Sequence, residues 1–247
     1  MTLCNTKNDI NYWENTELQP LQESQLSYWF TSDFDTDTIL RNKSPYTAGD
    51  GNIVNATRQL VHPSGLFGSC LSFNGNGYVS LPQAMLYNQL RFTISSSFKT
   101  TSTNPSISLY YEGSSISAQP VIFLDLNHNG LTGEVRFGVR DDNGVIGSAS
   151  STSVNALDGK WHTITGVSTL NSRNLYYDGV LIASNTLLLT YATTNTSTIG
   201  VGRKLTYFDY FTGLIGETIV STDSYIDAQV RYNYDHSIFN YINKSIN

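Results

Sequence analysis

The residues of this chain best suited to chemistry lie in two short stretches. Asp125-Leu126-Asn127-His128-Asn129-Gly130 sets side-chain oxygens at alternate positions and a glycine at the bend, as in the first half of a calcium loop. Asp125, Asn127 and Asn129 are its candidate ligands. The twelfth position, where such a loop carries a bidentate Glu, is Arg136. A plain Asn-Gly hairpin turn between Val121–Leu126 and Glu134–Val139 therefore accounts for the same residues better; the stretch admits calcium, and no cofactor is required. The second stretch is Arg203-Lys204-Leu205-Thr206-Tyr207-Phe208-Asp209-Tyr210. Aromatic rings beside Asp and Arg suit sugars, which stack on ring faces and hydrogen-bond through their edges. Arg203, Tyr207, Phe208, Asp209 and Tyr210 are the candidate glycan contacts. The competing reading is that two of these rings simply close the fold.

Other chemistries lack their residues. No Gly-x-Ser-x-Gly elbow, metalloprotease histidine pair or phosphate loop occurs. Cys4 and Cys70 have neither zinc-site spacing nor a neighbouring histidine, and two free thiols are expected in preference to one disulfide. With 14 basic against 20 acidic side chains the net charge is −6, and no Lys/Arg run could neutralise a row of phosphates. Nucleic acid and a polybasic membrane patch are excluded on that ground. No apolar stretch approaches the ~20 residues of a membrane-spanning helix. The start, Met1 to Asp9, lacks the basic and apolar regions of a secretory signal, so the chain is expected to stay in a cell or leave by another route.

The elements that must position these stretches are strands. Of 247 residues, 12% are aromatic and only 14% charged, a composition for a packed core rather than for disorder. Apolar and aromatic residues alternate with Ser, Thr and Asn in Cys70–Phe73, Tyr78–Leu81, Phe92–Phe98, Val121–Leu126, Glu134–Val139, Trp161–Val167, Asn174–Tyr177 and Leu214–Val220. Asn74-Gly75, Asp142-Asn143-Gly144, Asp158-Gly159 and Asp178-Gly179 punctuate them with residues that tolerate positive φ. Many short strands with regular turns predict an all-β, two-sheet antiparallel sandwich or jelly roll. Two segments differ. Residues 1–25 are rich in Asn, Glu and Gln without an apolar period and read as an N-terminal arm. From 226 to 247, Val230, Tyr234, Ile238, Tyr241 and Ile242 recur at helical spacing, predicting a short C-terminal helix capped by Asp223 or Ser224.

One succession is more specific. Ser27-Tyr28-Trp29-Phe30, Gly65 to Gly75, Tyr78-Val79 and Phe92-Thr93-Ile94 come first. Asp158 to Ile164, Leu175 to Gly179, Ile199-Gly200 and Phe211 to Glu217 follow. Collinear over residues 26–225, the series resembles the laminin-G-like jelly rolls of the concanavalin A-like lectin/glucanase superfamily. The resemblance implies a core-facing Phe73 with a hairpin turned by Asn74-Gly75. It implies a core Trp161 with His162 on the opposite face, and a late strand begun by Phe211 and Leu214-Ile215. It also places Arg203–Tyr210, read as a loop, before that strand, at one end of the sandwich. The ligand is expected at that end, where the turns at 125–129 and 141–143 would join it, because binding groups concentrate on loops of a rigid scaffold. Related jelly rolls often hold calcium at a loop rim.

The resemblance carries no active site with it. Glucanases of the superfamily set their carboxylates as Glu-x-Asp-x-x-Glu on one strand face, whereas Glu112, Glu134 and Glu217 each stand alone. The expected function is a non-catalytic, lectin-like binding or adhesion module. Its expected setting is the virion surface, in the head or tail of a bacteriophage, with a host glycan as ligand. Residues 1–25 would join it to other proteins of an oligomer or larger assembly. A bacterial cell-surface or secreted carbohydrate-binding protein is the alternative, and a glycoside hydrolase with an unrecognised site the third reading.

Overall fold

The computed structural model describes residues 26–30, 37–44, 49–61, 69–114, 119–204 and 207–237. The arm at 1–25, the helical positions Ile238, Tyr241 and Ile242, and Leu205-Thr206 lie outside the described residues, as do the side chains of 26–30 and 203–208. In chain order the strands are β1 Leu26–Phe30, β2 Ile39–Leu40, β3 Gly51–Val54, β4 Thr57–Leu60, β5 Ser69–Asn74 and β6 Tyr78–Ser80. Next are β7 Phe92–Lys99, β8 Ile107–Gly113, β9 Val121–Leu126, β10 Val135–Arg140, β11 Ile146–Ser151 and β12 Trp161–Ser168. Last are β13 Arg173–Tyr177, β14 Val180–Asn185, β15 Thr196–Ile199, β16 Val201–Lys204, β17 Tyr207–Tyr210 and β18 Thr212–Ser221. One helix follows, α1 Asp227–Asp235.

Two antiparallel sheets make the predicted sandwich. The first runs β14-β13-β12-β7-β18-β5-β4, with β1 also on β18; the second runs β11-β10-β9-β8-β15-β6-β3-β2. Successive strands such as β5 and β6 belong to different sheets, the crossing pattern of a jelly roll. Phe92, Ile94 and Phe98 of the first sheet meet Leu109, Leu124 and Phe137 of the second in one core. Each such side chain contributes about 1.5–3 kcal/mol when fully buried. Phe73 and Phe98 both set edges against Phe211, at 6.0 and 6.5 Å between centroids.

Three expectations change in detail. Phe73 faces the core, but Asn74-Gly75 passes the chain from one sheet to the other instead of closing a hairpin, because β5 pairs β18 and β6 pairs β15. Trp161 and His162 do take opposite faces, yet His162 shares the inter-sheet face with the core residue Ile164. Trp161 lies on the outer face, covered by Cys70, Val61 and Leu214. The helix is capped neither by Asp223 nor by Ser224. The Ser224 hydroxyl donates to the Ser168 carbonyl, Asp223 accepts from the Ser224 N–H, and the helix starts after Ile226, whose N–H Gln229 accepts. Cys70 is a free thiol, and burial pushes it up to about 12; Cys4 lies outside the described residues. Among the described residues no helix is long and apolar enough to cross a membrane.

Candidate functional site

The stretch expected to be a loop, Arg203 to Tyr210, is a two-stranded ribbon. β16 and β17 pair only with each other, Gly202 opposite Asp209 and Val201 opposite Tyr210, and belong to neither large sheet. Val201 is buried, and a Cβ added at Gly202 would sit 3.2 Å from the Ser108 side chain, so the ribbon root lies on β8. Asp209 and Tyr210 are half-buried there. Of Arg203, Tyr207 and Phe208 only the backbone is described, on the strands at the ribbon's outer half.

Beside the ribbon lies a charged patch built by β9 and β10. Cross-strand register puts Asp125 opposite Arg136, and the guanidinium forks both carboxylate oxygens at 3.0 and 2.7 Å. The same guanidinium caps the Phe123 ring, 4.2 Å from its centroid. Phe123 can lie flat over β10 because residue 138 is Gly; a Cβ there would stand 2.3 Å from the ring. Burial pushes the Asp125 carboxyl up, Arg136 pulls it down, and the carboxylates of Glu134 and Asp209 push it up again. The ribbon thus brings Asp209 into the field of the Asp125–Arg136 pair.

The calcium-like stretch is organised by protein partners. Asp125 is forked by Arg136, the very residue standing at the loop's twelfth position. Asn127 takes a left-handed conformation, φ 55°; its amide donates to the carbonyls of Ser102 and Asn104 at 3.0 Å, and its Oδ1 accepts from Gly133 N–H at 2.7 Å. Asn129, also at positive φ, gives its N–H to the Ser106 hydroxyl. These side chains form a hairpin turn rather than converging on one point, and among the described residues no cluster of three His, Cys, Asp or Glu side chains could hold a metal.

The turn at 141–143 does not join this site. Register sets Arg140 opposite Val121, so the six-residue length of β9 and β10, about 20 Å, separates Asp141 from the turn at 127–130. At that far end Asp141 accepts from Thr190 N–H and hydroxyl and from the N–H groups of Asn143 and Val145. Burial would raise its pKa; the four donated bonds outweigh it and hold the carboxyl below the ordinary value.

One constellation escaped the sequence reading. His162 lies between two carboxylates, Nδ1 2.9 Å from Asp178 and Nε2 3.0 Å from Asp158, with the Tyr177 ring stacked on it at 4.9 Å. Burial would lower its pKa, but the bonds and charges of Asp178 and Asp158 raise it. Its signal in the sequence is the pair of Asp-Gly turns around Trp161–Tyr177, whose aspartates serve both as turn residues and as carboxylates for His162. Glu112, by contrast, is a structural acid. Fully buried, it accepts from Met85 N–H, Leu86 N–H, Tyr110 hydroxyl and Thr194 hydroxyl.

Comparison with solved structures finds the same architecture at low sequence identity. Domain 4 of AbnA, a GH43 extracellular arabinanase from Geobacillus stearothermophilus solved with arabinotriose, is 17% identical with a TM-score of 0.65, over 84% of this chain and 97% of that one. The binding domain of Paraclostridial Mosquitocidal Protein 1 is 11% identical, with a TM-score of 0.64, over 88% of this chain and 55% of that one. The binding domain of botulinum neurotoxin serotype D is 15% identical, with a TM-score of 0.62, over 86% and 52%. The chain spans about half the length of these two toxin domains. No curated protein sequence matches it. Residues 73–231 match a laminin-G-type family model, and the chain therefore belongs to the concanavalin A-like lectin/glucanases superfamily.

Proposed function

We propose that this chain is a non-catalytic saccharide-binding module whose ligand sits against the β16–β17 ribbon. The observation that carries the reading is the ribbon itself. It stands outside both sheets at one end of a rigid sandwich and carries Asp209 within the field of the buried Asp125–Arg136 pair. The half-buried Tyr210 is next to it in the strand, so an acceptor and a ring are available there. Binding groups gather on such ends because they vary without disturbing the core. The arabinotriose held by the similar arabinanase domain supports a glycan as ligand class. The test is adsorption to a glycan array by Asp209→Ala and Tyr210→Ala variants. Binding should fall about tenfold or more with thermal stability nearly unchanged. Full binding by both variants would refute the placement, and a collapse in stability would return these side chains to the core.

The setting proposed for the module is the surface of a virus particle, the head or tail of a bacteriophage, with residues 1–25 as its attachment. The low charge and the abundance of Ser, Thr, Asn and Tyr support it. Removing residues 1–25 should leave a folded domain that no longer co-purifies with particles; normal incorporation of the truncated chain would refute it. The extracellular source of the arabinanase domain favours the second reading, a secreted or cell-surface carbohydrate-binding protein of a bacterium.

A further inference from the structure

At the far end of the sandwich, on the outer side of the first sheet, a cleft of about 450 Å³ opens between the start of β7, the β12–β13 turn and the chain entering α1. Arg91, Asn174, Tyr176, Tyr225, Ile226 and Asp227 line it. We infer that this cleft is a second saccharide site, for a neutral sugar ring with adjacent hydroxyls, diagonally opposite the β16–β17 ribbon.

Its walls are held in place by hydrogen bonds rather than by a mobile loop. Ser168 hydroxyl donates to the Leu90 carbonyl at 3.1 Å, and Ser224 hydroxyl to the Ser168 carbonyl, so one residue ties all three segments. Thr93 hydroxyl donates to the Asp223 carbonyl at 2.8 Å and accepts from Tyr225 N–H at 3.0 Å. Thr169 closes the β12–β13 turn on Ser172. A preformed site loses less ordering entropy on binding, which matters for a small ligand.

The chemistry of the lining selects the ligand class. Asp227 accepts from the Tyr176 hydroxyl at 2.6 Å through Oδ1, which fixes the carboxylate and leaves Oδ2 to accept from a ligand hydroxyl. Asn174, whose amide neighbours the same tyrosine hydroxyl, can both donate and accept. Arg91 is exposed, makes no ion pair among the described residues and supplies donors only. Ile226, 65% exposed, is an apolar lip beside them. One cation beside one anion repels neither end of a neutral ligand, while a phosphate would face Asp227 and a metal ion would face Arg91. Alternating donors and acceptors around a partly apolar concavity match the hydroxyls and C–H face of a sugar.

The experiment is an amide NMR titration of the full chain with methyl glycosides of arabinose, galactose, glucose and N-acetylglucosamine, and with sialyllactose. A neutral glycoside should shift the Asn174 side-chain amide and the Asp227 and Ala228 backbone amides. Arg91→Ala and Asp227→Asn, the latter keeping the acceptor for Tyr176, should each weaken that binding about tenfold. The inference is overturned if no sugar shifts these amides, or if both variants bind as the parent does. Binding of sialyllactose alone, lost with Arg91→Ala and kept with Asp227→Asn, overturns the neutral class. Shifts confined to Asp209 and Tyr210 remove this site and leave the ribbon reading standing; shifts confined to the cleft do the reverse.

Discussion

Asp178 grips β12 at two adjacent residues: its Oδ2 lies 2.9 Å from Nδ1 of His162, and its Oδ1 accepts the backbone N–H of Thr163 at 2.8 Å. Asp178 can do so because it sits at φ 49° in a two-residue turn with Gly179, which aims its carboxylate back across the sheet. The outer bond to Asp158 completes a carboxylate–imidazole–carboxylate bridge at the ribbon end of the sandwich. As an imidazolium His162 donates from both nitrogens; as a neutral ring it turns a lone pair toward one of the two carboxylates.

The bridge makes stability depend on pH in a stated direction. His162 has its folded-state pKa raised, so its contribution is complete below the unfolded value near 6.5 and is lost as pH rises through the folded value. Asp158 has its pKa lowered, since the bond and charge of His162 and the Lys160 N–H outweigh burial, and its contribution is lost as pH falls below about 4. Tm measured against pH should therefore decline from pH 6 toward 8 and again in acid. His162→Gln should flatten the first decline and reduce the Asp158 part of the second, leaving the part that comes from Asp141. An unchanged slope above pH 6 in the variant would show that His162 does not titrate with folding.

Arg136 should matter more alone than as half of a pair. Arg136→Ala leaves the Asp125 carboxylate buried without its fork, at a cost of about 3–5 kcal/mol in urea unfolding. Asp125→Leu combined with Arg136→Met should recover most of that loss, because a packed apolar pair needs no compensation for desolvation. A single-variant loss under 1 kcal/mol would mean that water reaches Asp125.

Gly138→Ala places a methyl where the Phe123 ring lies, 2.3 Å away, with the Ser148 Cβ 2.9 Å on the other side. Overpacking of this kind costs about 1–3 kcal/mol. Phe123→Leu should relieve part of it in the double variant, read by chemical denaturation. Additive losses in the double-mutant cycle would show that the two residues do not meet.

Glu112→Ala should be among the most damaging single changes. It removes the acceptor for two backbone N–H groups and two hydroxyls in a site closed to water, at about 1–3 kcal/mol for each donor left buried without a partner. Glu112→Gln should be milder, retaining one oxygen. Chemical denaturation of both variants measures the difference; equal stability to the parent would refute a structural role for this acid.

Eight of the strands, several of the turns and the kind of fold are legible in the sequence, whereas the β16–β17 ribbon is not. Val121–Leu126 is a strand with the boundaries its alternation suggests, and β7 and β12 each run one residue beyond the expected Phe92–Phe98 and Trp161–Val167. Period-two alternation and Asx-Gly turns are local properties, readable without knowing what lies across the sheet. Tertiary structure alone decided which face of a strand is inside. Alternation shows that Trp161 and His162 point apart, but both faces of β12 are covered, so hydrophobicity at one residue could not tell the inter-sheet side from the outer one. The same holds for charges. Asp125 reads as a metal ligand from its own neighbours in sequence, and it becomes one arm of an ion pair only because register sets Arg136 opposite. Asp158 and Asp178 flank His162 at 4 and 16 residues' separation, and nothing in the intervening sequence requires them to meet. A carboxylate's role is set by the partner that desolvates or neutralises it, and that partner arrives through sheet pairing.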